Sequence, residues 1–591
     1  MIKTIQPSSG LSRRQTVEVK VGQVCIGGNN PVRIQTMITT PTQDIEATVE
    51  ECMKVANAGA ELVRITAPTV KDAEILGVIR QKLREKGYDI PLIADIHFNP
   101  DVAETAAKNI EKIRINPGNF TDKQAMLQSA TSDFEQNWDN SLLKLKTKFI
   151  ALLNTCKEYG TALRIGSNHG SLSARIMSKY GDTPAGMVES AMEFLRICKE
   201  ENFNNVVVSM KASNTKIMVQ AYRLLADTMD AEDMHYPLHL GVTEAGDGED
   251  GRIKSAVGIG SLLADGLGDT IRVSLTEAPV NEIPVAKELV HHFSDFRICS
   301  SPKKYVQDYF NNNKNTLLSK ETVVIADLSK LNIVYMSDLK CLGFDSEQDS
   351  LPKTPVPDYI YTGSSTVTFD DEKIISDDND NFIFCNCSMF NKSFLAWLKK
   401  NQNKILMVSF DNAGSIAAQR SFFLKLKKNK ITNPIIIVRS YKEIDFAKLQ
   451  IIAACDFGAL LVDGFGSGIM LSAEFCIKPE LVSDLCFRIL QASEVRYTST
   501  EYIACPGCGR TLFDLQDTLR KVKQATSEFT NLKIGVMGCI VNGPGEMAGA
   551  DYGYVGAGTG KITLYKGKEA VKKNIPQENA IEELINLIKN N

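Results

Sequence analysis

Eight short apolar, β-branched runs punctuate the first 280 residues of the chain. They are VRIQTMI (32–38), ELVRIT (61–66), PLIADIHF (91–98), EKIRIN (111–116), ALRIG (162–166), NVVVSM (205–210), LHLGVT (238–243) and TIRVSL (270–275). Helix-like stretches lie between them. IEATVEECMKVANAGA (45–60) sets Val49, Cys52, Met53 and Ala56 at helical spacing, and Gly59 stops it. Strand alternating with helix eight times predicts a closed (β/α)8 TIM-type barrel, whose usual size is about 250 residues. An open doubly wound sheet is the alternative.

The sequence divides into three expected domains: 1–298, the barrel; 299–487, an insert; and 488–591, a small C-terminal α+β unit. The insert is richer in Lys, Asn, Ser and Asp, yet keeps strand-like runs: TVVIADL, DYIYTG, NFIFCNC, ILMVSF, PIIIVRS and GALLVDG. GSLLADGLGDTIRVS (260–274) aligns without gaps with GALLVDGFGSGIMLS (458–472), which suggests a second, degenerate barrel-like α/β unit copied from the first. At the equivalent place Arg272 has become Met470.

A net charge of −4 gives no nucleic-acid footprint, and no apolar run approaches the ~18 residues of a membrane span. The first residues show no secretion signal. Fourteen cysteines then read mostly as free thiols in a reducing, cytoplasmic setting.

In a barrel, functional side chains sit at the C-terminal ends of the strands and in the loops that follow. Those places hold Arg64, Asp95, His97, Arg114, Asn116, Arg164, Asn168, Lys211, Glu244, Arg272 and Ser274. Five of these are cations from five different strands. Singly, each is an ordinary ion-pair residue. Together they repel unless an anion lies among them. Arginine's planar fork suits phosphate oxygens and lysine adds a point charge, so the pattern points to a small polyanion, most simply a diphosphate. No G-x-x-x-x-G-K-[ST] occurs, which argues against an ATPase.

Cys505 and Cys508 stand three apart in YIACPGCGR, and the one later cysteine is Cys539 in GCIVNGPGE. Two metal sites fit that spacing. A zinc site needs a histidine, and every histidine lies at or before position 292. An iron–sulfur cluster can use three thiolates and a different fourth ligand. Glu546, seven residues after Cys539, is the candidate; the glycines and Pro544 shape a turn that could return it. A carboxylate is a harder, more exchangeable ligand than a thiolate and could give way to a substrate oxygen.

These motifs resemble one family. YIACPGCGR and GCIVNGPGE, with ADIHFNP, KIRINPGN, LRIGSNHGSL, SMKAS, LGVTEAG and GIGSLLADGLGDTIRVSLT, are similar to those of the 4-hydroxy-3-methylbut-2-enyl diphosphate synthase family, in its three-domain, insert-containing type. The resemblance covers roughly 15–295 and 485–560. It implies reductive ring opening and dehydration of 2-C-methyl-D-erythritol 2,4-cyclodiphosphate, in the methylerythritol phosphate route to isoprenoids. It also implies a [4Fe–4S] cluster on Cys505, Cys508, Cys539 and Glu546, and ferredoxin or flavodoxin as electron donor. By the same resemblance Arg64, Arg114, Arg164, Lys211, Arg272 and Ser274 hold the diphosphate. Glu244 is the acid near the leaving hydroxyl, and Asp95, His97, Asn116 and Asn168 complete a polar pocket. With a folded spacer of this length, one chain is expected to contain a whole active site, even if the protein is a homodimer. The competing reading is an electron-transfer or cluster-carrier module fused to a vestigial barrel.

Overall fold

The computed structural model describes residues 12–97, 99–120, 134–294, 297–299, 318, 322–331, 336–342, 355–363, 373–377, 379–410, 416–474, 476–541, 543–547 and 549–590. All eight β-branched runs of the first domain are strands: Arg33–Met37, Leu62–Thr66, Leu92–Asp95, Lys112–Ile115, Ala162–Asn168, Val206–Lys211, His239–Leu240 and Thr270–Ile271. Each pairs in parallel with the next, and the eighth pairs with the first. The sixth meets the seventh through a single bridge, Val208 to Leu238, which closes the ring. The barrel reading holds, and the open sheet is excluded.

Local chemistry sets the element ends. Asp44 caps the helix Ile45–Ala58 by accepting from the Ala47 N–H, and Gly59 ends it at φ 106°. Only glycine takes that left-handed turn without cost. Thr69 and Asp72 form a reciprocal capping box on Val70–Glu85. The bottom of the barrel is plugged by the hairpin Val19–Val21/Val24–Ile26, whose Val19, Val21 and Ile26 pack on Leu62, Ile93, Ala162 and Val207.

The insert forms a seven-stranded, wholly parallel sheet. Numbered along the chain from Val323–Asp327 to Gly468–Ser472, its strands lie in the order 3-2-1-7-6-5-4. First and last strands pair, as in a barrel, and the ring is open between the third and fourth. One expectation fails here. GALLVDG is not a strand: it finishes the helix Phe446–Leu461, which Asp445 caps. A short apolar run cannot by itself distinguish a strand from a buried helix. This one continues an apolar face that is buried from Leu449 onward.

The aligned segments of barrel and insert pack on each other. Helix Gly248–Ala264 lies against Phe446–Leu461, and the contact is reciprocal. A Cβ on Gly260 would stand 2.6 Å from Cys455 Sγ, and one on Gly458 would stand 2.8 Å from Val257 Cγ2. The alignment pairs Gly260 with Gly458 and, extended three residues upstream, Val257 with Cys455. It also pairs Asp265 with Asp463. Arg223 binds both of these aspartates, and so does Arg420. Residue i touching j while j's counterpart touches i's is the signature of a two-fold contact.

The C-terminal domain is a five-stranded mixed sheet, Glu501–Ala504, Lys533–Met537, Tyr552–Gly558, Lys561–Lys566 and Glu569–Pro576. Helices Leu515–Ala525 and Ala580–Lys589 cover one face. Its apolar clusters are its own, whereas one continuous core runs from the barrel into the insert. The domain rests on the barrel mouth through polar and backbone contacts. Ala245 and Ala504 form a parallel bridge, Lys254 pairs with Glu501, and Thr276 Oγ1 donates to the Cys505 carbonyl at 2.9 Å. Gly170 lies so close to the Gly545 carbonyl that a Cβ there would be 1.9 Å from its oxygen.

Candidate active site

The barrel mouth and the C-terminal domain enclose one cavity. From the barrel it is lined by Met37, Arg64, Asp95, Arg114, Arg164, Asn168, Lys211, Thr243, Glu244, Arg272 and Ser274. From the other side come Cys505, Pro506, Gly507, Cys508, Arg510, Met537, Cys539, Val541, Gly543 and Glu546. Of the residues expected from sequence, only His97 and Asn116 stand behind this lining. Asn116 holds its own turn: its side chain accepts from the Gly118 N–H and donates to Ser171 Oγ at 3.0 Å.

Strand pleating delivers the cations. Inward residues alternate along each strand, so Arg114, Arg164, Lys211 and Arg272 share the interior. Two glycines make room. A Cβ on Gly166 would lie 2.8 Å from Arg114 Nε, and one on Gly241 would lie 2.8 Å from Lys211 Nζ. Two of the cations, Arg164 and Lys211, are poorly compensated. Arg164 donates through Nη1 to Ser209, while its buried Nε and Nη2 have no hydrogen-bond partner. Burial, then Arg64 and Arg114, loosen its hold on its proton. Burial, then Arg64, Arg164 and Arg272, push Lys211 well below the ordinary lysine range. An anion placed among these groups would reverse both effects.

Asp95 is the counterweight. Burial opposes its ionisation, but Arg64 and Arg114 hold its carboxyl well below the usual range. Arg114 Nη1 lies 3.3 Å from Asp95 Oδ1 and Arg510 Nη2 3.2 Å from Oδ2. His97 Nε2 accepts from Arg114 Nη1 at 2.8 Å, and burial drives the imidazole down to about 3, so it is neutral and not a general acid at pH 7. Arg272 is held in an ion pair, with Nη2 3.0 Å from Glu282 Oε1. Glu282 also accepts from Thr36 Oγ1 at 2.8 Å.

Two carboxyl groups meet across the domain boundary. Glu244 has φ 48°, an uncommon conformation for a non-glycine residue, and its side chain reaches Thr243 Oγ1 and Glu546. Burial, then the facing Glu546, raise its proton affinity well above the carboxylate range. Both effects favour the protonated form of Glu244.

The three thiols and Glu546 converge on the same cavity, with N–H groups aimed at the sulfurs. Gly538 N–H points at Cys505 Sγ at 3.3 Å, and the Val541 N–H bonds Cys539. Among the described residues no group of three His, Cys, Asp or Glu is spaced to hold a single metal ion. Three thiols and one carboxylate spread round a shared space suit a multi-iron cluster, whose ligands attach to different irons.

Sequence reasoning missed Arg510, Glu282 and the two room-making glycines. Arg510 was within reach, since it closes the very motif that holds Cys505 and Cys508.

A parallel barrel whose mouth gathers cations and a buried acid, capped by a cysteine-bearing domain, defines an iron–sulfur type of enzyme acting on an anionic small molecule. Residues 16–287 match the GcpE TIM-barrel domain and residues 501–590 the GcpE protein C-terminal domain. The chain is 47% identical over 609 residues to the 4-hydroxy-3-methylbut-2-en-1-yl diphosphate synthase (flavodoxin) of Parabacteroides distasonis, covering 98% of each. It is 46% identical over 611 residues to the protein of the same name from Phocaeicola vulgatus, again covering 98% of each. The one from Leptospira interrogans is 43% identical over 654 residues, covering 99% of this chain and 98% of the other. The chain belongs to the GcpE family.

Proposed function

We infer that this chain forms 4-hydroxy-3-methylbut-2-enyl diphosphate from 2-C-methyl-D-erythritol 2,4-cyclodiphosphate, consuming two electrons and releasing water. The observation that carries this reading is the shared cavity: under-compensated barrel cations on one side, and three cysteines with Glu546 on the other. In this reading residues 1–298 bind substrate, 299–487 act as a spacer, and 488–591 hold a [4Fe–4S] cluster on Cys505, Cys508, Cys539 and Glu546. When bound, such a cluster supplies single electrons and an iron that can accept a substrate oxygen.

The residues supply the rest. Arg64, Arg114, Arg164, Lys211 and Arg272, with Ser274, fix the diphosphate and offset the charge that grows on it as the ring opens. Glu244, whose buried setting favours its protonated form, delivers a proton to the departing hydroxyl, which leaves as water. Asp95 orients Arg114, and His97 supports both from behind. Closure of the C-terminal domain excludes bulk water. Flavodoxin is the donor for which the relatives are named, and a one-electron protein donor in the same cytoplasmic compartment suits this chemistry.

Anaerobic purification with iron and sulfide analysis, followed by turnover of the cyclodiphosphate with reduced flavodoxin or ferredoxin, tests the assignment. About four irons per chain and product formation are expected. A fully loaded protein that leaves the cyclodiphosphate unchanged with either donor overturns the reading.

A further inference from the structure

Five of the six cations lining the cavity come from barrel strands; Arg510 comes from the C-terminal domain, two residues after Cys508. Its guanidinium faces two ways. Nη2 lies 3.2 Å from Asp95 Oδ2 of the barrel, while the guanidinium lines the same cavity as Cys508 and Cys539, whose sulfurs favour its charged form. Its buried Nε has no hydrogen-bond partner. The backbone gives it little freedom, because a Cβ on the preceding Gly509 would stand 2.8 Å from Thr66 Oγ1 and 2.9 Å from the Thr40 carbonyl. Asp95 has no need of another cation, with Arg114 at 3.3 Å and Arg64 close enough to hold its carboxyl ionised. On the cysteine side, the charge of Arg510 bears on both Cys508 and Cys539.

We propose that Arg510 is a positioning residue that ties the seating of the C-terminal domain on the barrel to the charge of the iron–sulfur centre, spanning Asp95 on one side and the Cys508 and Cys539 ligands on the other. The proposal rests on the cluster assignment above. Reduction adds one negative charge on the cysteine side. A fixed positive charge beside those sulfurs stabilises the reduced form, so Arg510 raises the reduction potential. Asp95 opposes it by drawing the guanidinium back and cancelling part of its field. Only the Asp95 contact bridges the domains, so the opposed pulls of Asp95 and of the cysteine side on one guanidinium couple closure of the cavity to the charge of the cluster.

The test is a redox titration of the substrate-free holoprotein, followed by electron paramagnetic resonance, on wild type, Arg510→Gln, Arg510→Lys and Asp95→Asn. In Arg510→Gln the reduced-to-oxidised ratio at a fixed potential is expected to fall about tenfold, equivalent to about 59 mV for one electron. Arg510→Lys should recover most of that shift. Asp95→Asn should move the potential the opposite way. Trypsin should release the C-terminal domain faster from Arg510→Gln than from wild type. An unchanged potential in Arg510→Gln at wild-type iron content overturns the proposal, and so does a shift that lysine does not recover. If Arg510→Gln fails to hold iron, Asp95→Asn decides: an unchanged or lowered potential there overturns it. Absence of a cluster from the wild-type protein would instead refute the proposed function.

Discussion

Asn168 Nδ2 donates to Glu546 Oε1 at 2.6 Å, joining the end of a barrel strand to a turn of the C-terminal domain 378 residues later. Both atoms are buried, and the acceptor is a carboxylate. Such a bond contributes about 1.5–3 kcal/mol. It ties the turn that carries Glu546 to the barrel.

Asn168→Ala should therefore loosen that turn while leaving the barrel intact. Amide hydrogen exchange across 539–547 is expected to rise by one to two orders of magnitude, matching about 1.5–3 kcal/mol. Exchange at wild-type rates would show that the turn is held by other contacts.

Arg272 cannot be removed as cleanly as its strand-end position suggests. By its strand-end position alone Arg272 reads as a substrate-binding cation, so Arg272→Met would weaken substrate binding only. The Glu282 ion pair changes that expectation, because the substitution strands a buried carboxylate. A cost of about 3–5 kcal/mol is expected, read as a lowered unfolding midpoint. The double variant Arg272→Met/Glu282→Met should recover most of the stability and none of the substrate affinity. If the single variant unfolds like wild type, Glu282 is not relying on Arg272.

Acid should weaken the native state through His97. Its folded pKa, about 3, lies below the ordinary histidine value of about 6.5. The unfolded chain therefore binds the proton first as pH falls. Stability from this group is full above about pH 6.5 and declines towards pH 3, by up to about 1.4 kcal/mol per pH unit. Burial first, then Arg114 and Arg510, keep the imidazole neutral, against Asp95. His97→Asn should flatten the decline between pH 6 and 4 in urea titrations, and an unaltered slope would assign it to other groups.

Single-chain active sites can be tested by mixing. A Glu244→Ala chain and a Cys505→Ser chain, combined where subunits exchange, should stay inactive. Recovery of a substantial fraction of wild-type turnover would mean that the C-terminal domain serves a neighbouring chain's barrel.

The helix seam between barrel and insert offers a symmetric experiment. Gly260→Ala and Gly458→Ala each force a Cβ into the facing helix and should each cost about 1–3 kcal/mol, in similar measure. The double variant should cost less than the sum, since the first substitution already separates the helices. Strict additivity would argue against one shared contact.

Much of this was legible because the signals are local. β-branched runs mark the barrel strands, and strand ends mark the cations. The cysteine motif marks the metal side. What escaped depends on distant partners. Glu282 looks like any helix-opening acid until Arg272 and Thr36 fold onto it. Gly166 and Gly241 sit within strand runs, and only their neighbours' side chains explain them. Gln35, Lys112 and His239 look like surface residues by type, yet the barrel buries them with polar atoms unpartnered. Asn116 occupied a strand end and turned out to brace its own loop. GALLVDG was ambiguous because burial on all sides erases the period that separates helix from strand.

The reciprocal seam also bears on how this chain is free to change. In an assembly of identical subunits, a substitution at a two-fold contact is made twice, and both halves must tolerate it. Dilution also separates such halves. Here the two halves are joined by the chain, so the contact forms at a fixed effective concentration. Each half can vary alone. Arg272 keeps its charge at the mouth of the closed ring, while its counterpart Met470 is buried among Val323, Ile325, Met407 and Ile436. Gly260 and Gly458, which the seam itself requires, have stayed alike.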